Sequence, residues 1–409
     1  MMMTSTAIPT DGRRLDYLDG LRAIAALLVL VNHAYQQIYW TIKPVGLFAH
    51  VAPWLGMGHA SVILFIVLSG FCLMRPVVLT GGIRGGIWGF YGSRARRILP
   101  AYWAAMAFAL LLIFTVAGQK HGAMFDLSLN LTWPGFWAHL FLIHNLWPAP
   151  YFGTCGNPEI CSVFWSVAVE WQIYLFFPLF VFAWLRYGPL LTLCVICLIA
   201  WDGVRLCPLL FHLGLNGIGL NADFYAYFAF GMLAATVAFS AQWERWRDRL
   251  PWLGLSLLLL SGFIALYSGL SREHPRVTFP QIDAYCAPFF ACLLIAASRT
   301  GRLQRVLSWR PLAFIGTFSF SIYLLHLPLV AVLTDYVVQP LESALTPLGA
   351  FLLLLGISLP LVLGVAYGFS RIFENKHIVT AGLRAFSKET QKRDAALAAS
   401  PPASILKTV

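Results

Sequence analysis

The sequence has few charged residues, and acidic residues are the scarcest of them. Only 11% of its 409 residues are charged, with 17 Asp and Glu against 28 Lys and Arg. A soluble domain carries about one quarter charged residues. Together with a hydrophobic content of 59% and a mean hydropathy of +0.74, this deficit excludes an ordinary soluble protein. The composition predicts an all-α, polytopic membrane helix bundle.

Several common signals are also missing. No His-x-x-x-His pair occurs among the ten histidines, which argues against a metal site. No inverted repeat and no appended soluble catalytic domain are visible. The eight cysteines are scattered. Cys155 and Cys161 fall in a polar stretch, where a disulfide between them is chemically possible and an open question.

Apolar runs separated by short polar joints predict about ten transmembrane helices. Their approximate ranges are 18–40, 57–75, 99–118, 163–185, 188–206, 222–240, 252–270, 281–298, 311–333 and 347–369. Residues 1–14 are expected to form a cytoplasmic N-terminal segment and residues 15–376 the membrane domain. The polar, Ala-rich residues 377–409 are expected to form a disordered cytoplasmic tail.

The positive charges predict the orientation. With the N-terminus in the cytoplasm, only five of the 28 Lys and Arg residues fall in outside segments: Lys43, Lys120, Arg205, Arg272 and Arg276. This bias follows the positive-inside rule and places both termini in the cytoplasm. It also explains the formal net charge of +11 by topology, so no nucleic-acid partner is expected.

The first apolar run carries two ionisable residues, Arg22 and His33. Ionisable side chains at membrane depth are costly and usually functional. Asp19 is positioned as the N-cap of this helix, and eleven residues at about 1.5 Å rise separate Arg22 from His33 by about 16 Å. The helix is therefore predicted to join one membrane surface, at Arg22, to the opposite half of the bilayer, at His33.

Glu170 and His326 are two further ionisable residues inside apolar runs. By the predicted boundaries, each lies about seven residues from the outer end of its helix, as His33 does, so the three could meet at one level. Each alone could instead be a hydrogen-bonded core residue. The two histidines and Glu170 could also form a metal triad, although their spacing does not favour one.

A basic cluster, Arg94, Arg96 and Arg97, precedes the third predicted helix, whose first turn Pro100 is expected to set. The planar guanidinium group binds phosphate in a bidentate manner, so the cluster could hold a phosphorylated small molecule. Such clusters also fix membrane orientation and bind anionic lipid headgroups.

Several segments resemble the membrane acyltransferase family 3, which includes the O-antigen acetylases. They are LDGLRAIAALLVLVNHA, ILFIVLSGF, RARRILPAYW, FWSVAVEWQIYLFFP, FYAYFAFGMLAA and FSFSIYLLHLP, with a closing Glu374. The resemblance implies an integral membrane enzyme of the bacterial plasma membrane. Such an enzyme transfers an acyl group, usually acetyl, from cytoplasmic acyl-CoA to a hydroxyl, commonly on a sugar. Acyl-CoA is then a substrate, and no permanently bound cofactor is implied.

The family's motifs also imply roles for residues of this chain. The Arg followed by His falls on Arg22 and His33, the Arg pair on Arg94 and Arg97, and the buried acid on Glu170. Its Tyr-Leu-x-His motif ends at His326. The arginines would hold the CoA, and His33 would act as base or acyl carrier, assisted by Glu170 or His326.

The sequence leaves alternatives for the function, the acceptor and the mechanism. A proton-coupled transporter could also use buried His and Glu residues. Within the family resemblance, the acceptor could be a cell-envelope or exported glycan, or a small molecule such as a macrolide. Direct transfer with His33 as base and relay through an acyl-His33 are both open.

Overall fold

The structure is a computed structural model that describes residues 15–39, 42–116, 133–146, 161–205, 221–273 and 279–374. Regular secondary structure within these ranges is helical. The first seven helices are α1 (Asp16–Tyr39), α2 (Phe48–Leu55), α3 (Gly58–Thr80), α4 (Gly86–Thr115), α5 (Trp133–Leu140), α6 (Phe164–Tyr187) and α7 (Pro189–Arg205). The next eight are α8 (Ala222–Phe239), α9 (Glu244–Arg249), α10 (Trp252–Glu273), α11 (Phe279–Ser298), α12 (Arg302–Leu307), α13 (Arg310–Gly316), α14 (Ser319–Leu333) and α15 (Pro347–Phe373).

Seven helices in the described ranges are long and apolar enough to cross a membrane: α1, α3, α4, α6, α8, α14 with its continuation to Ala344, and α15. An eighth candidate is the pair Ala241–Arg249 and Trp252–Ala265, which is bent by 66°. Two shorter apolar helices, Pro189–Trp201 and Tyr285–Ser298, occupy two further predicted spans. The membrane helix bundle is confirmed, while the count of ten and the cytoplasmic termini stay predictions.

The boundaries of α4 correct one prediction. The helix begins at Gly86 and runs through Pro100, so Pro100 does not set its first turn. Arg94, Arg96 and Arg97 therefore lie on the helix rather than before it. The first turns of α4 are rich in glycine and are followed by Ser93 and three arginines, so they contain no long apolar run and a hydropathy search does not find them. Proline is tolerated inside a membrane helix because only one backbone bond is lost and neighbouring groups compensate for it.

The start of α1 also differs from expectation. The helix begins at Asp16, so Asp19 lies in its first turn and is not the N-cap. Both acids still sit at the positive end of the helix dipole. Asp19 is buried and accepts a hydrogen bond from Nη1 of Arg22 at 2.9 Å.

Helix α1 lies at the centre of the bundle. It packs against α3, α13, α14 and α15. Small residues such as Ala23, Ala25 and Ala34 are fully buried and allow these helices to approach closely. Helix α1, which carries Arg22 and His33, is therefore packed closely against its neighbours.

The contact between α3 and α8 depends on glycine. A Cβ atom on Gly231 would overlap the carbonyl oxygen of Val67, and one on Gly70 would overlap that of Phe228. We expect Gly231→Ala to destabilise the protein by about 1–3 kcal/mol, because the helices would have to separate. The measurement is thermal unfolding in detergent.

The matched control is Gly364→Ala on α15, where a Cβ atom would meet open space. That substitution should leave stability unchanged or raise it slightly, since alanine favours helix. Equal melting temperatures for the two variants would show that the α3–α8 contact tolerates a side chain.

Residues 133–146 pack against α4 and α6. Tyr102 of α4 donates to the carbonyl of His139 at 3.0 Å, and Asn145 and Gln172 exchange two hydrogen bonds of 3.1 and 2.7 Å. The rings of His139 and His144 stack with centroids 4.1 Å apart. Burial lowers the pKa of His139 to about 4 and that of His144 well below its ordinary value, so both rings are neutral at pH 7. These histidines act as packing residues.

Some predictions concern residues outside the described ranges. They include the cytoplasmic segment 1–14, the disordered tail 377–409 and Cys155. The character of both terminal segments and the disulfide to the buried Cys161 therefore stay predictions.

Candidate functional site

His33 and His326 meet inside the bundle. Nε2 of His326 lies 3.0 Å from Nδ1 of His33, and the two ring centroids are 4.9 Å apart. His326 is 0% exposed and His33 is partly buried. The two residues are 293 positions apart in sequence, so only the packing of α14 against α1 brings them together. The predicted meeting of these two histidines is a feature of the structure.

The hydrogen bonds of the pair determine which nitrogens carry protons. Nδ1 of His326 lies 2.7 Å from the carbonyl of Tyr323 and 3.1 Å from that of Ile322. Carbonyls only accept, so this nitrogen donates and, in a neutral ring, Nε2 of His326 is an acceptor. Nδ1 of His33 then donates to it, and also lies 3.0 Å from the carbonyl of Val29. The lone pair of a neutral His33 is therefore on Nε2.

Arginine side chains line a cavity between α1, α3, α4, α6 and α14. Its lining includes Arg22, Ser69, Cys72, Arg94, Arg97, Ser166, Glu170, Tyr174, Ser319 and Tyr323, with apolar residues between them. Arg22 is fixed there by Asp19 and by a contact of 3.1 Å from Nη2 to the sulfur of Cys72. The structure thus brings the three predicted arginines together at one cavity.

Glu170 lies in this cavity and not beside the histidines. Its Oε1 accepts hydrogen bonds from the hydroxyls of Ser69 and Tyr174, which are themselves 2.6 Å apart. The hydrogen bonds that the structure describes for Glu170 go to these two hydroxyls and not to the histidine pair. Of the two residues proposed to assist His33, the geometry therefore favours His326. Glu170 instead interacts electrostatically with Arg94.

Three buried polar atoms near these arginines lack a partner among the described residues, and each of them can donate a hydrogen bond. The Tyr17 hydroxyl and the Nε atoms of Arg75 and Arg94 have no hydrogen-bond partner among the described residues. Tyr17 lies in the field of Cys72 and Arg75, one to two turns from the cavity along α1 and α3. A guanidinium N–H left unpaired in a buried place is costly. Of these three residues Arg94 lines the cavity, so an anionic ligand there would pair with its Nε–H group.

Tyr323 lies between the cavity and His326. Its side chain lines the cavity, and its ring centroid lies 5.7 Å from that of His326. The hydroxyl is 2.6 Å from Oγ of Ser166 and donates to the carbonyl of Val163 at 3.1 Å. Tyr323 thus contacts both the arginine cavity and His326.

Glu374 fixes the start of α14. Its carboxylate accepts hydrogen bonds from the backbone N–H of Ser321, at 3.1 Å, and from the Ser321 hydroxyl. Burial raises the pKa of Glu374, while these bonds and the charge of Arg97 oppose the rise. A carboxylate at a helix N-terminus is stabilised by the helix dipole. Glu374 therefore supports the position of Tyr323 and His326 on this helix.

Sequence reasoning missed several members of the site. Tyr174 follows Glu170 by four residues on α6, a spacing that could have indicated the pair. Ser69 and Ser166 gave no such signal, because their partners are more than 100 residues away. Among the described residues no group of three His, Cys, Asp or Glu side chains could hold a metal ion, so the metal triad has no support there.

A family model described as an acyltransferase domain matches residues 15–367. The chain belongs to this acyltransferase family. The match includes Arg22, His33, Arg94, Arg97, Glu170 and His326 and ends before Glu374. No solved structure matches the chain.

Named relatives of this acyltransferase-family chain are O-acetyltransferases. It is 26% identical over 411 residues to the putative peptidoglycan O-acetyltransferase YrhL of Bacillus subtilis, covering 91% of this chain and 56% of that protein. It is 24% identical to the peptidoglycan O-acetyltransferase OatA of Listeria monocytogenes, over 78% of this chain and 49% of the relative. For the O-acetyltransferase OatA of Staphylococcus aureus the identity is 25%, over 80% and 52%. The chain spans about half the length of these curated relatives.

Proposed function

We propose that the protein is an integral membrane O-acyltransferase that transfers an acyl group, acetyl by preference, from cytoplasmic acyl-CoA to a hydroxyl of a cell-envelope glycan. The observation that carries this proposal is the buried contact between His33 and His326, together with a nearby arginine-lined cavity. Helix α1 contributes His33 to the contact and Arg22 to the cavity. The names of the relatives support acetyl as the group and peptidoglycan as the first acceptor to test. The proposed setting is the bacterial plasma membrane, with ten spans and cytoplasmic termini.

The arginine cavity suits the donor. Arg22, Arg94 and Arg97 would face the phosphates of acyl-CoA, which guanidinium groups bind through charge-assisted hydrogen bonds. The apolar part of the lining suits the pantetheine arm. With the arginines at the cytoplasmic end of α1, the thioester would extend past Tyr323 towards His33. CoA is a substrate in this proposal, and no resident cofactor is needed.

The histidine pair supplies the base. Nε2 of His33 takes the proton of the acceptor hydroxyl while the oxygen attacks the thioester carbonyl and the C–S bond breaks. His33 then returns the proton to the CoA thiolate. The hydrogen bond from Nδ1 of His33 to His326 fixes the ring and stabilises the positive charge that His33 carries between these steps. An acyl-His33 intermediate is the alternative route and uses the same nitrogen.

A purified-protein assay tests the proposal. Full-length protein in detergent is incubated with acetyl-CoA and a peptidoglycan fragment, and both free CoA and glycan O-acetyl ester are measured. We expect both products from the wild-type protein. A proton-coupled transporter would release no CoA, so a protein that is folded but releases none would contradict the acyltransferase proposal. A macrolide tested in place of the glycan distinguishes the acceptor classes.

A further inference from the structure

Gln37 is a buried amide without a partner. It lies on α1 and is 9% exposed, and neither its Oε1 nor its Nε2 has a hydrogen-bond partner among the described residues. By contrast, Asn32 on the same helix donates to the carbonyl of Leu55 at 2.9 Å. Burying an amide with both ends unpaired is unfavourable, and native proteins rarely retain one without a reason. The amide of Gln37 is therefore available to a polar ligand.

The position of Gln37 connects it with the reaction site. It follows His33 by four residues, so it lies one helical turn away on the same face of α1, at about 6 Å along the axis. Arg22 lies eleven residues from His33 in the opposite direction. A molecule that reaches His33 from the side away from the arginines would thus pass Gln37 first.

We propose that Gln37 binds the acyl acceptor and that this acceptor is an uncharged sugar, held beside the hydroxyl that reacts at His33. This inference rests on the function proposed above. The amide oxygen can accept from a sugar hydroxyl, and the amide nitrogen can donate to a second hydroxyl or to an acetamido carbonyl. A neutral amide suits such groups, whereas the phosphates of the donor need the arginines.

The experiment compares Gln37→Met with Gln36→Met in the full-length protein. Methionine keeps the length of the glutamine side chain without its hydrogen bonds. Gln36 is the adjacent residue, is only partly buried, and provides the matched control. Three quantities are measured for each variant: acetylation of chitopentaose, hydrolysis of acetyl-CoA without glycan, and the melting temperature.

For Gln37→Met we expect the KM for chitopentaose to rise about tenfold, because the bonds to the sugar are lost. Acetyl-CoA hydrolysis should stay at the wild-type level. The melting temperature should be equal or higher, since an unsatisfied buried amide has been replaced by an apolar group. For Gln36→Met all three quantities should match the wild type.

Several results would overturn the inference. They are a KM for chitopentaose within twofold of the Gln36→Met value, a parallel loss of hydrolysis and transfer, or a lower melting temperature or failure to fold. The last result would show that the amide has a structural partner. Wild-type protein that hydrolyses acetyl-CoA but does not acetylate chitopentaose would overturn this acceptor class alone, whereas release of no CoA would overturn the proposed function as well.

Discussion

Replacing His33 with alanine is expected to lower acyl transfer by about 10²- to 10⁴-fold, the usual contribution of a general base. The reason is that Nε2 of His33 is the nitrogen whose lone pair the hydrogen bonds of the pair leave for the acceptor proton. The measurement is kcat for glycan acetylation by purified protein. The control is His50→Ala, which removes an exposed histidine of α2 and should leave kcat unchanged.

His326 gives this prediction a second, independent measurement. As a positioning residue it should matter less than His33, so His326→Ala is expected to lower kcat by about 10- to 100-fold. Because both residues act through one hydrogen bond, the double variant should be no slower than His33→Ala alone. If the two losses instead multiply, the histidines work separately. Normal product formation by His33→Ala would exclude His33 from the chemistry.

Replacing Arg94 and Arg97 together with methionine is expected to raise the KM for acetyl-CoA by about 10²-fold or more. Each charge-assisted hydrogen bond to phosphate contributes about 1.5–3 kcal/mol, and two arginines lose theirs. The kcat at saturating donor should change little, because both arginines lie on α4 at the cavity, whereas the histidine pair is formed by α1 and α14. Steady-state kinetics with acetyl-CoA as the varied substrate measure both constants.

Two controls separate phosphate binding from folding. Arg96→Met removes an exposed arginine on the same turn of α4 that does not line the cavity, so it should leave KM unchanged. S-acetyl-pantetheine carries the thioester without the nucleotide, and its KM should be the same in the wild type and in the Arg94→Met, Arg97→Met variant. Equal increases for both donors would mean that the arginines support the helix and not the phosphates.

The sequence predicts the membrane helices because bilayer thickness forces apolar runs of about 20 residues. The same criterion fails for the first turns of α4, which are helical but rich in glycine and followed by arginines, and for the break at Thr317 and Phe318 between α13 and α14. Neither feature changes mean hydropathy enough to be seen. Hydropathy thus finds the long apolar helices and misses the segments where backbone and polar groups shape the site.

The candidate site was partly predictable for a similar reason. A costly ionisable residue in an apolar run is visible in one dimension, so His33, Glu170 and His326 stood out. Their partners could not be found in this way, because the contact of His326 with His33, and that of Ser69 with Glu170, depend on helix packing. Gln37 also gives no signal in the sequence, since its unusual feature is that its amide has no hydrogen-bond partner among the described residues.

The ion pair between Asp19 and Arg22 has a consequence for turnover. If acyl-CoA binds as proposed, its phosphates compete at Arg22 with the Asp19 carboxylate, which lies 2.9 Å from Nη1. A carboxylate displaced in this way would repel the bound anion and would pair with Arg22 again after the anion leaves. Such competition would weaken the binding of substrate and product alike, which would favour release of free CoA over its tight retention.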